Sequence, residues 1–240
     1  MQRLFYVSAS LYPQADVDLQ PFSHQINTVL RLQVGAQLVL LDGQGNEFLT
    51  ELTAVGRTAT RGTVIEQRPA RGEPSFHLTL YQCSLKADKF EWVLQKGTEL
   101  GVACFAPVIS ARSIVRPADA LLRKYDRWQA ILTEAAEQSG RGRIPSLLPP
   151  LNWQQALVHA TGQRVLAWEN ATDGPNLLPA TSPLALLVGP EGGLTTDEVQ
   201  EARSVGWQVI GLGSRILRAE TASLVSIAAI MARAGELGAL

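Results

Sequence analysis

Two glycine-rich segments have the residue types and spacing to do chemistry. The first is Val188-Gly189-Pro190-Glu191-Gly192-Gly193, directly after the apolar run Leu184 to Val188. The second is Leu212-Gly213-Ser214-Arg215-Ile216-Leu217-Arg218, which closes the run Trp207 to Leu212 and leads into Ala219-Glu220-Thr221-Ala222. Glycine lets the backbone approach a ligand closely and leaves its N–H and C=O groups accessible. Such groups can read the edge of a flat heterocycle, while Leu212, Ile216 and Leu217 supply apolar walls. Either loop alone resembles an ordinary short strand-to-helix connection. Two together, each just past a strand, fit the rule that ligands of open α/β sheets bind beyond the carboxyl ends of strands.

Other chemistries find no support. Gly211-x-Gly213 suggests a dinucleotide site, but Ile216 stands where the third glycine belongs and no strand follows. Lys96-Gly97-Thr98 has the wrong order for a phosphate-binding Walker loop, and no nucleophile elbow occurs. Cys83 and Cys104 form no CxxC pair, and His24, His77 and His159 are scattered, so no metal set is expected.

The basic candidates for holding phosphate are Arg3, Arg31, Lys86, Lys89, Lys96, Arg141 and Arg143. The formal net charge is −1, so a nucleic-acid footprint has to be a local patch. Residues 76–150 carry 10 basic and 7 acidic side chains, against 6 and 7 in residues 1–75 and 5 and 8 in residues 151–240.

These side chains need elements to position them. Positions 1–70 read as β-structure: a strand at Leu4 to Val7, a hairpin of Leu38 to Leu41 and Glu47 to Leu52 around Asp42-Gly43, and a strand from Arg57 to Ile65. A short helix is expected over Ser23 to Leu32. Arg68 to Pro74, with two prolines and a glycine, reads as a linker. Beyond it strands alternate with helices. Strands are expected at Phe76 to Cys83, Cys104 to Ile109, Arg164 to Trp168, Leu184 to Val188 and Trp207 to Leu212. Helices are expected at Asp88 to Leu100, Leu121 to Gln138, after a capping box at Thr195 and Glu198, and at Glu220 to Glu236. The alternation indicates an α/β domain with a mainly parallel sheet covered on both faces. A hydrophobic content of 46% and a charged content of 18% suit a soluble globular chain. The N-terminal apolar run is too short and interrupted for a signal peptide, and no stretch approaches the roughly 18 apolar residues of a membrane span. A cytoplasmic protein with reduced cysteines is expected.

With the elements placed, the loops resemble the cofactor loops of the SPOUT methyltransferases, and specifically the RsmE family, bacterial enzymes that methylate N3 of a uridine in the decoding region of small-subunit ribosomal RNA. Lys96-Gly97-Thr98-Glu99-Leu100-Gly101, Glu137-Gln138-Ser139-Gly140-Arg141 and His24-x-x-x-x-Val29-Leu30-Arg31 are similar to further markers of that family. The likeness spans nearly the full length.

The resemblance implies a PUA-like RNA-binding β-barrel domain over residues 1–70 and a SPOUT α/β domain over residues 71–240, with a C-terminal trefoil knot that threads the last helix past Gly189–Gly193. It implies S-adenosyl-L-methionine as cofactor, 16S ribosomal RNA within the small subunit as partner, and a homodimer. The cofactor residues it implies are Trp168, Glu169, Val188, Gly189, Pro190, Glu191, Gly192, Leu212, Gly213, Ser214, Ile216, Leu217, Arg218, Thr221 and Ala222. Of the basic residues, Arg3, Arg31, Lys96, Arg141 and Arg143 are the candidates for RNA contact.

Uracil N3 carries a proton and lies on the Watson–Crick edge, so the base has to be unpaired or flipped out for methylation. Arg218 is expected to stabilise charge developing on the uracil oxygens or to grip a phosphate. Glu220 is expected to accept a proton, to orient Arg218 or to cap the last helix. The competing readings are a SPOUT enzyme acting on another RNA, a non-catalytic RNA-binding assembly factor, and a nucleotide-dependent metabolic enzyme.

Overall fold

The computed structural model describes residues 1–6, 11–114, 117–171 and 181–238. The chain divides into two compact units. One comprises residues 1–73 with 136–144, the other 74–135 with 145–240.

The first unit holds β1 (Arg3–Phe5), β2 (Asp16–Asp18), β3 (Gln37–Leu41), β4 (Asn46–Val55) and β5 (Thr60–Pro69) in one sheet of order β1-β3-β4-β5-β2. The hairpin between β3 and β4 forms where Asp42 precedes Gly43. Asp42 Oδ1 accepts from the N–H groups of Gln44 (2.7 Å) and Asn46 (3.0 Å). A side-chain oxygen bonded to the backbone two residues on fixes such a turn. Alternation along β3 separates two faces. Leu38 and Leu40 join Leu4, Val17, Phe48, Leu52 and Val64 in one core, so every strand of the sheet contributes to it, as in a barrel-like sheet. Val39 and Leu41 face the other way and pack with Phe5, Ala136 and Ile144. Val7, the expected end of the first strand, lies outside the described residues.

Three differences from the expected elements are local. Residues 20–29 form a short 3-10 turn, Gln20–Phe22, and a π-turn, Gln25–Val29, instead of one helix. The strand expected to stop at Ile65 continues to Pro69, pairing Asn46 with Pro69, so the expected linker begins inside a strand. The segment 136–144, which a linear boundary near residue 70 assigns elsewhere, belongs to this unit. There the N–H of Phe5 donates to Glu137 Oε1 (2.9 Å), that of Gly72 to the Gly140 carbonyl (3.2 Å), and that of Gly45 to the Gly142 carbonyl (3.1 Å).

The second unit is built on a seven-stranded, wholly parallel sheet: β6 (Leu78–Cys83), β7 (Cys104–Ile109), β8 (Ser146–Leu147), β9 (Leu151–Asn152), β10 (Gln163–Ala167), β11 (Leu184–Val188) and β12 (Gln208–Ile210). The order is β12-β10-β11-β6-β7-β8, with β9 also against β7. Its helices are α1 (Ala87–Glu99), α2 (Ala118–Leu122), α3 (Tyr125–Ser139, whose last turn is counted with the first unit), α4 (Trp153–His159), α5 (Thr196–Ser204) and α6 (Ala219–Arg233). On one face Tyr81, Cys83, Ala106, Val108, Leu166 and Leu187 pack under Trp153, Leu157, Val199, Ala202 and Trp207 of α4, α5 and the adjoining chain. On the other face α6 lies beside α1 and β11.

The capping box at the start of α5 forms as its residues require. The Glu198 N–H donates to Thr195 Oγ1 (3.2 Å), and the Thr195 N–H donates back to Glu198 Oε2 (2.9 Å). The single helix expected from Leu121 to Gln138 is two, α2 and α3, separated by Arg123 and Lys124. No helix among the described residues is long and apolar enough to cross a membrane.

Candidate functional site

The loops after β10, β11 and β12, with the first turn of α6, enclose a cavity of about 300 Å³ in the second unit. That volume is at the small end of the range of small-molecule sites. Its floor is apolar: Ala167, Val188, Leu212, Leu217 and Ala222. The lining also includes Trp168 and Glu169 from the β10 loop, Gly189, Pro190 and Glu191 from the β11 loop, and Gly213, Ile216 and Arg218 from the β12 loop. Twelve of the fifteen residues named from the sequence therefore meet at one cavity. Gly192, Ser214 and Thr221 do not line it.

Glycine is required at two of these positions. Gly193 has φ +70°, and a Cβ there would sit 2.6 Å from Glu169 Oε1. Gly213 has φ +97°. That is a left-handed conformation that side chains strain to adopt. Ile216, at 86% exposure, is an apolar side chain held almost fully in solvent at the mouth.

Behind the cavity one buried amide connects its walls. Gln82, near the end of β6, is 1% exposed. Its Nε2 donates to the carbonyls of Cys83 (3.2 Å), Gly189 (3.4 Å) and Val188 (3.5 Å), and its Oε1 accepts the hydroxyl of Ser223 on α6. From outside, Arg112 Nη1 donates to the Gly192 carbonyl (3.1 Å). The glycine loop is therefore held from both sides. Neither residue was named from the sequence. An amide inside the otherwise buried strand Leu-Thr-Leu-Tyr-Gln-Cys was the available signal for Gln82.

One end of the cavity is charged. Lys89 of α1 lines it, and its Nζ lies 3.2 Å from Glu220 Oε1 and 3.8 Å from Glu191 Oε1. Glu191 Oε1 also accepts the N–H of Lys86 (3.1 Å). Glu220 does not line the cavity. It stands behind Lys89 and pairs with it, and Arg218 at the helix N-cap has no side-chain capping bond. Lys89, named from sequence only as a phosphate candidate, thus belongs to this site, as do Gly193, Arg215 and Ala219.

The basic residues named for RNA fare unequally. Arg31 is exposed and has φ 53°. A left-handed backbone is unusual for arginine. Arg143 is exposed; its main-chain N–H donates to Glu73 Oε2 (3.0 Å). Arg3 is half-buried, its guanidinium against Gly140. Lys96 pairs with Glu99 (2.7 Å) and lies 5.1 Å above the Trp92 ring. Arg141 has to be corrected. At 2% exposure it pairs with Glu73 (3.1 Å), so it is a buried structural cation and presents no surface to RNA. No metal-binding cluster of histidine, cysteine or carboxylate side chains occurs among the described residues.

Comparison with known proteins gives consistent matches. A family model described as an RNA methyltransferase domain matches residues 72–231, and one described as an RNA methyltransferase PUA domain matches residues 26–60. The chain is 36% identical to ribosomal RNA small subunit methyltransferase E of Bacillus subtilis over 219 residues, 86% of each chain. It is 37% identical to the Synechocystis protein of the same name, over 87% of this chain and 70% of that one. Among solved structures, ribosomal RNA small subunit methyltransferase E from Neisseria gonorrhoeae, bound to S-adenosyl methionine, superposes with a TM-score of 0.88 at 33% identity, covering 97% of this chain and 98% of the other.

Proposed function

The chain belongs to the RNA methyltransferase family whose curated members are named ribosomal RNA small subunit methyltransferase E, and on that premise we propose that it transfers a methyl group from S-adenosyl-L-methionine to N3 of one uridine in 16S ribosomal RNA. The observation that carries the reading is the meeting of the two glycine-rich loops and the N-terminus of α6 around one apolar-floored cavity, in a fold shared with a cofactor-bound relative.

The cavity's own residues fit such a cofactor. Ala167, Val188, Leu212, Leu217 and Ala222 would hold a flat heterocycle, and the exposed backbone at Gly213 would read its edge. The Trp168 ring and the Glu169 carboxylate would border the remaining part. When bound, S-adenosylmethionine supplies a methyl group already activated on a sulfonium. The protein's task is then chiefly alignment and the exclusion of water. Arg218 at the rim would stabilise negative charge on the uracil oxygens or hold the neighbouring phosphate.

The first unit would dock RNA through Arg3, Arg31 and Arg143, with Lys96 contributing from α1. The protein would act on the small ribosomal subunit in the cytoplasm as a homodimer, and its C-terminal segment would form the trefoil knot typical of SPOUT enzymes. The test is incubation with methyl-labelled S-adenosylmethionine and small subunits that lack the modification, followed by digestion to nucleosides. Label in 3-methyluridine is the expected result. Cofactor binding with label in another nucleoside would move the assignment to a different RNA site, and absence of both would favour a non-catalytic assembly factor.

A further inference from the structure

Three short loops of the first unit interlock, and arginines gather on them. The Gly45 N–H donates to the Gly142 carbonyl (3.1 Å), the Ala70 N–H to the Gly45 carbonyl (2.9 Å) and the Gly72 N–H to the Gly140 carbonyl (3.2 Å). Arg71, between Ala70 and Gly72, is thereby pinned beside both Gly45 and Gly140. Each of those two glycines lies under a guanidinium. A Cβ at Gly45 would meet Cζ, Nη1 and Nη2 of Arg143 at 2.9, 2.9 and 3.0 Å, and one at Gly140 would meet Cζ of Arg3 at 3.1 Å. Near-equal distances to three atoms mean that the Arg143 plane lies flat on the backbone, an approach that glycine allows. A guanidinium seated in this way gives up less side-chain freedom when it takes a ligand. Its charge also stays uncompensated: Arg3, Arg71 and Arg143 form no side-chain ion pair among the described residues. The carboxylates of the same segments are engaged elsewhere, Glu73 with Arg141 and the Arg143 N–H, Glu47 with Arg68, Glu137 with the Phe5 N–H, and Asp42 with the N–H groups of Gln44 and Asn46. Arg71 and Arg143 are exposed, while Arg3 is half-buried, its Nε enclosed and without a hydrogen-bond partner.

From this arrangement, and resting on the functional reading above, we propose that Arg71 and Arg143, with the charge of Arg3 behind them, form a phosphate-binding site for the backbone of a helical RNA segment. The ligand class follows from the donors. A guanidinium is a planar fork that matches a phosphate in two parallel hydrogen bonds, and it stays charged at every working pH. Helical rather than single-stranded RNA follows from what the loops lack. Residues 43–45, 70–73 and 138–143 contain no aromatic side chain. Single strands are held chiefly by bases stacked on aromatic platforms, whereas RNA helices are held through their phosphates and 2′-hydroxyls. A site of arginines and glycines can grip a backbone and reads no base, so its contact is independent of sequence. It lies wholly within the first unit and positions the RNA; it takes no part in choosing the uridine. Arg71, in a stretch that reads as a linker, is thus a residue for RNA contact.

The test is equilibrium binding over a salt series, with the full chain and without cofactor. The probes are two short RNA duplexes of unrelated sequence and a uridine homopolymer of the same length. Arg71→Ala and Arg143→Ala should each weaken binding to both duplexes equally and lower the slope of log affinity against log salt by about one. The loss on the homopolymer should be smaller. Arg57→Ala removes the same charge from the turn between β4 and β5, where Arg57 is exposed, and should leave the slope near that of wild type. Gly45→Ala keeps every charge but pushes the Arg143 guanidinium off its seat, and should weaken duplex binding in protein that urea denaturation shows to be folded. A wild-type slope in Arg71→Ala, a loss that differs between the two duplexes, an equal loss in Arg57→Ala, or unchanged binding by folded Gly45→Ala would each overturn the proposal. A loss confined to the homopolymer would overturn it in favour of a single-strand contact. The functional reading is scored separately, by whether wild type forms 3-methyluridine; its failure would leave these binding results as they stand.

Discussion

The hydroxyl of Ser223 donates to Oε1 of Gln82, joining the second turn of α6 to the end of β6 in the buried interior. The other end of the same amide holds the backbone of Val188 and Gly189, where the first glycine loop begins. One side chain thus sets the distance between two of the cavity's walls.

Replacing Gln82 with Leu removes a buried donor that reaches three carbonyls, while the Ser223 hydroxyl keeps the Ala219 carbonyl as acceptor (3.0 Å). A cost of about 1–3 kcal/mol for the unpaired groups is expected. Glu at this position should be worse, because it substitutes an acceptor for the Nε2 donor and faces the same carbonyls. Chemical denaturation measures the loss, and calorimetry with S-adenosylmethionine should show affinity falling in parallel. Ser223→Ala should reproduce a smaller part of both effects. Cofactor affinity unchanged in a folded Gln82→Leu protein would show that the wall spacing does not depend on this amide.

Arg218 stands at the rim and caps nothing with its side chain. Arg218→Ala should therefore keep cofactor affinity and fold while losing methyl transfer by a factor of about 10²–10³, as expected for removal of a donor aimed at developing charge. Turnover near that of wild type, measured with labelled cofactor, would remove Arg218 from the mechanism.

Arg141 and Arg143 are close neighbours in sequence and should behave oppositely. Arg141→Ala takes from Glu73 its paired cation, leaving it the Arg143 N–H, and empties a buried position, with an expected loss of about 3 kcal/mol in urea denaturation. Arg143→Ala removes an exposed guanidinium and should change stability by less than about 0.5 kcal/mol. RNA titration over a salt series should show weaker binding and a shallower salt slope for Arg143→Ala. Equal slopes for Arg143→Ala and wild type would mean that this arginine meets no phosphate.

The cysteines give a pH prediction. Burial pushes the Cys83 thiol from its ordinary 9.0 up to about 12, a hydrogen bond with Ser110 offsetting a little, and the Cys104 thiol up to about 11. Unfolded, both ionise near 9. Between pH 9 and 11–12 the unfolded chain therefore binds fewer protons than the folded one, and stability falls as pH rises. Below 9 these groups contribute no slope. Tyr81 and Tyr125, both raised by burial to about 12, add the same sign from pH 10. Thermal melts should be insensitive to these groups up to pH 9 and decline above it, and Cys83→Ala/Cys104→Ala should decline less steeply. A double variant with an unaltered slope would contradict the assignment.

Much of this was legible from local pattern. Cys104–Ile109 and Leu184–Val188 have the expected bounds because each is a continuous apolar run between turn-forming residues. The glycine loops were legible because backbone approach to a ligand restricts residue type. Residues that act at a distance were not. Lys89 is an ordinary lysine in an amphipathic helix until folding brings it beside Glu191 and Glu220. In sequence Arg141 is half of a basic pair, and its pairing with Glu73, 68 residues earlier, becomes visible in the fold. α4 was overlooked although Asn152 and Gln155 form a reciprocal capping box at its start. That signal was readable, but the helix is too short to carry a convincing apolar period.

The segment 136–144 also bears on how the chain is made. The first unit is discontinuous: Ala136 and Ile144 complete the packing on Phe5, Val39 and Leu41, and Gly140 and Gly142 accept the backbone of Gly72 and Gly45. Synthesis proceeds from the N-terminus, so this unit reaches residue 73 with one face of its sheet still uncovered. It must wait until residue 144 has been added before it can close. At ordinary elongation rates that is roughly 4–14 s, during which its apolar row is open to the nascent-chain surroundings. A gene fragment ending at residue 73 should yield a sticky, aggregation-prone peptide, and a boundary drawn from linear sequence would cut the fold where its two ends depend on one another.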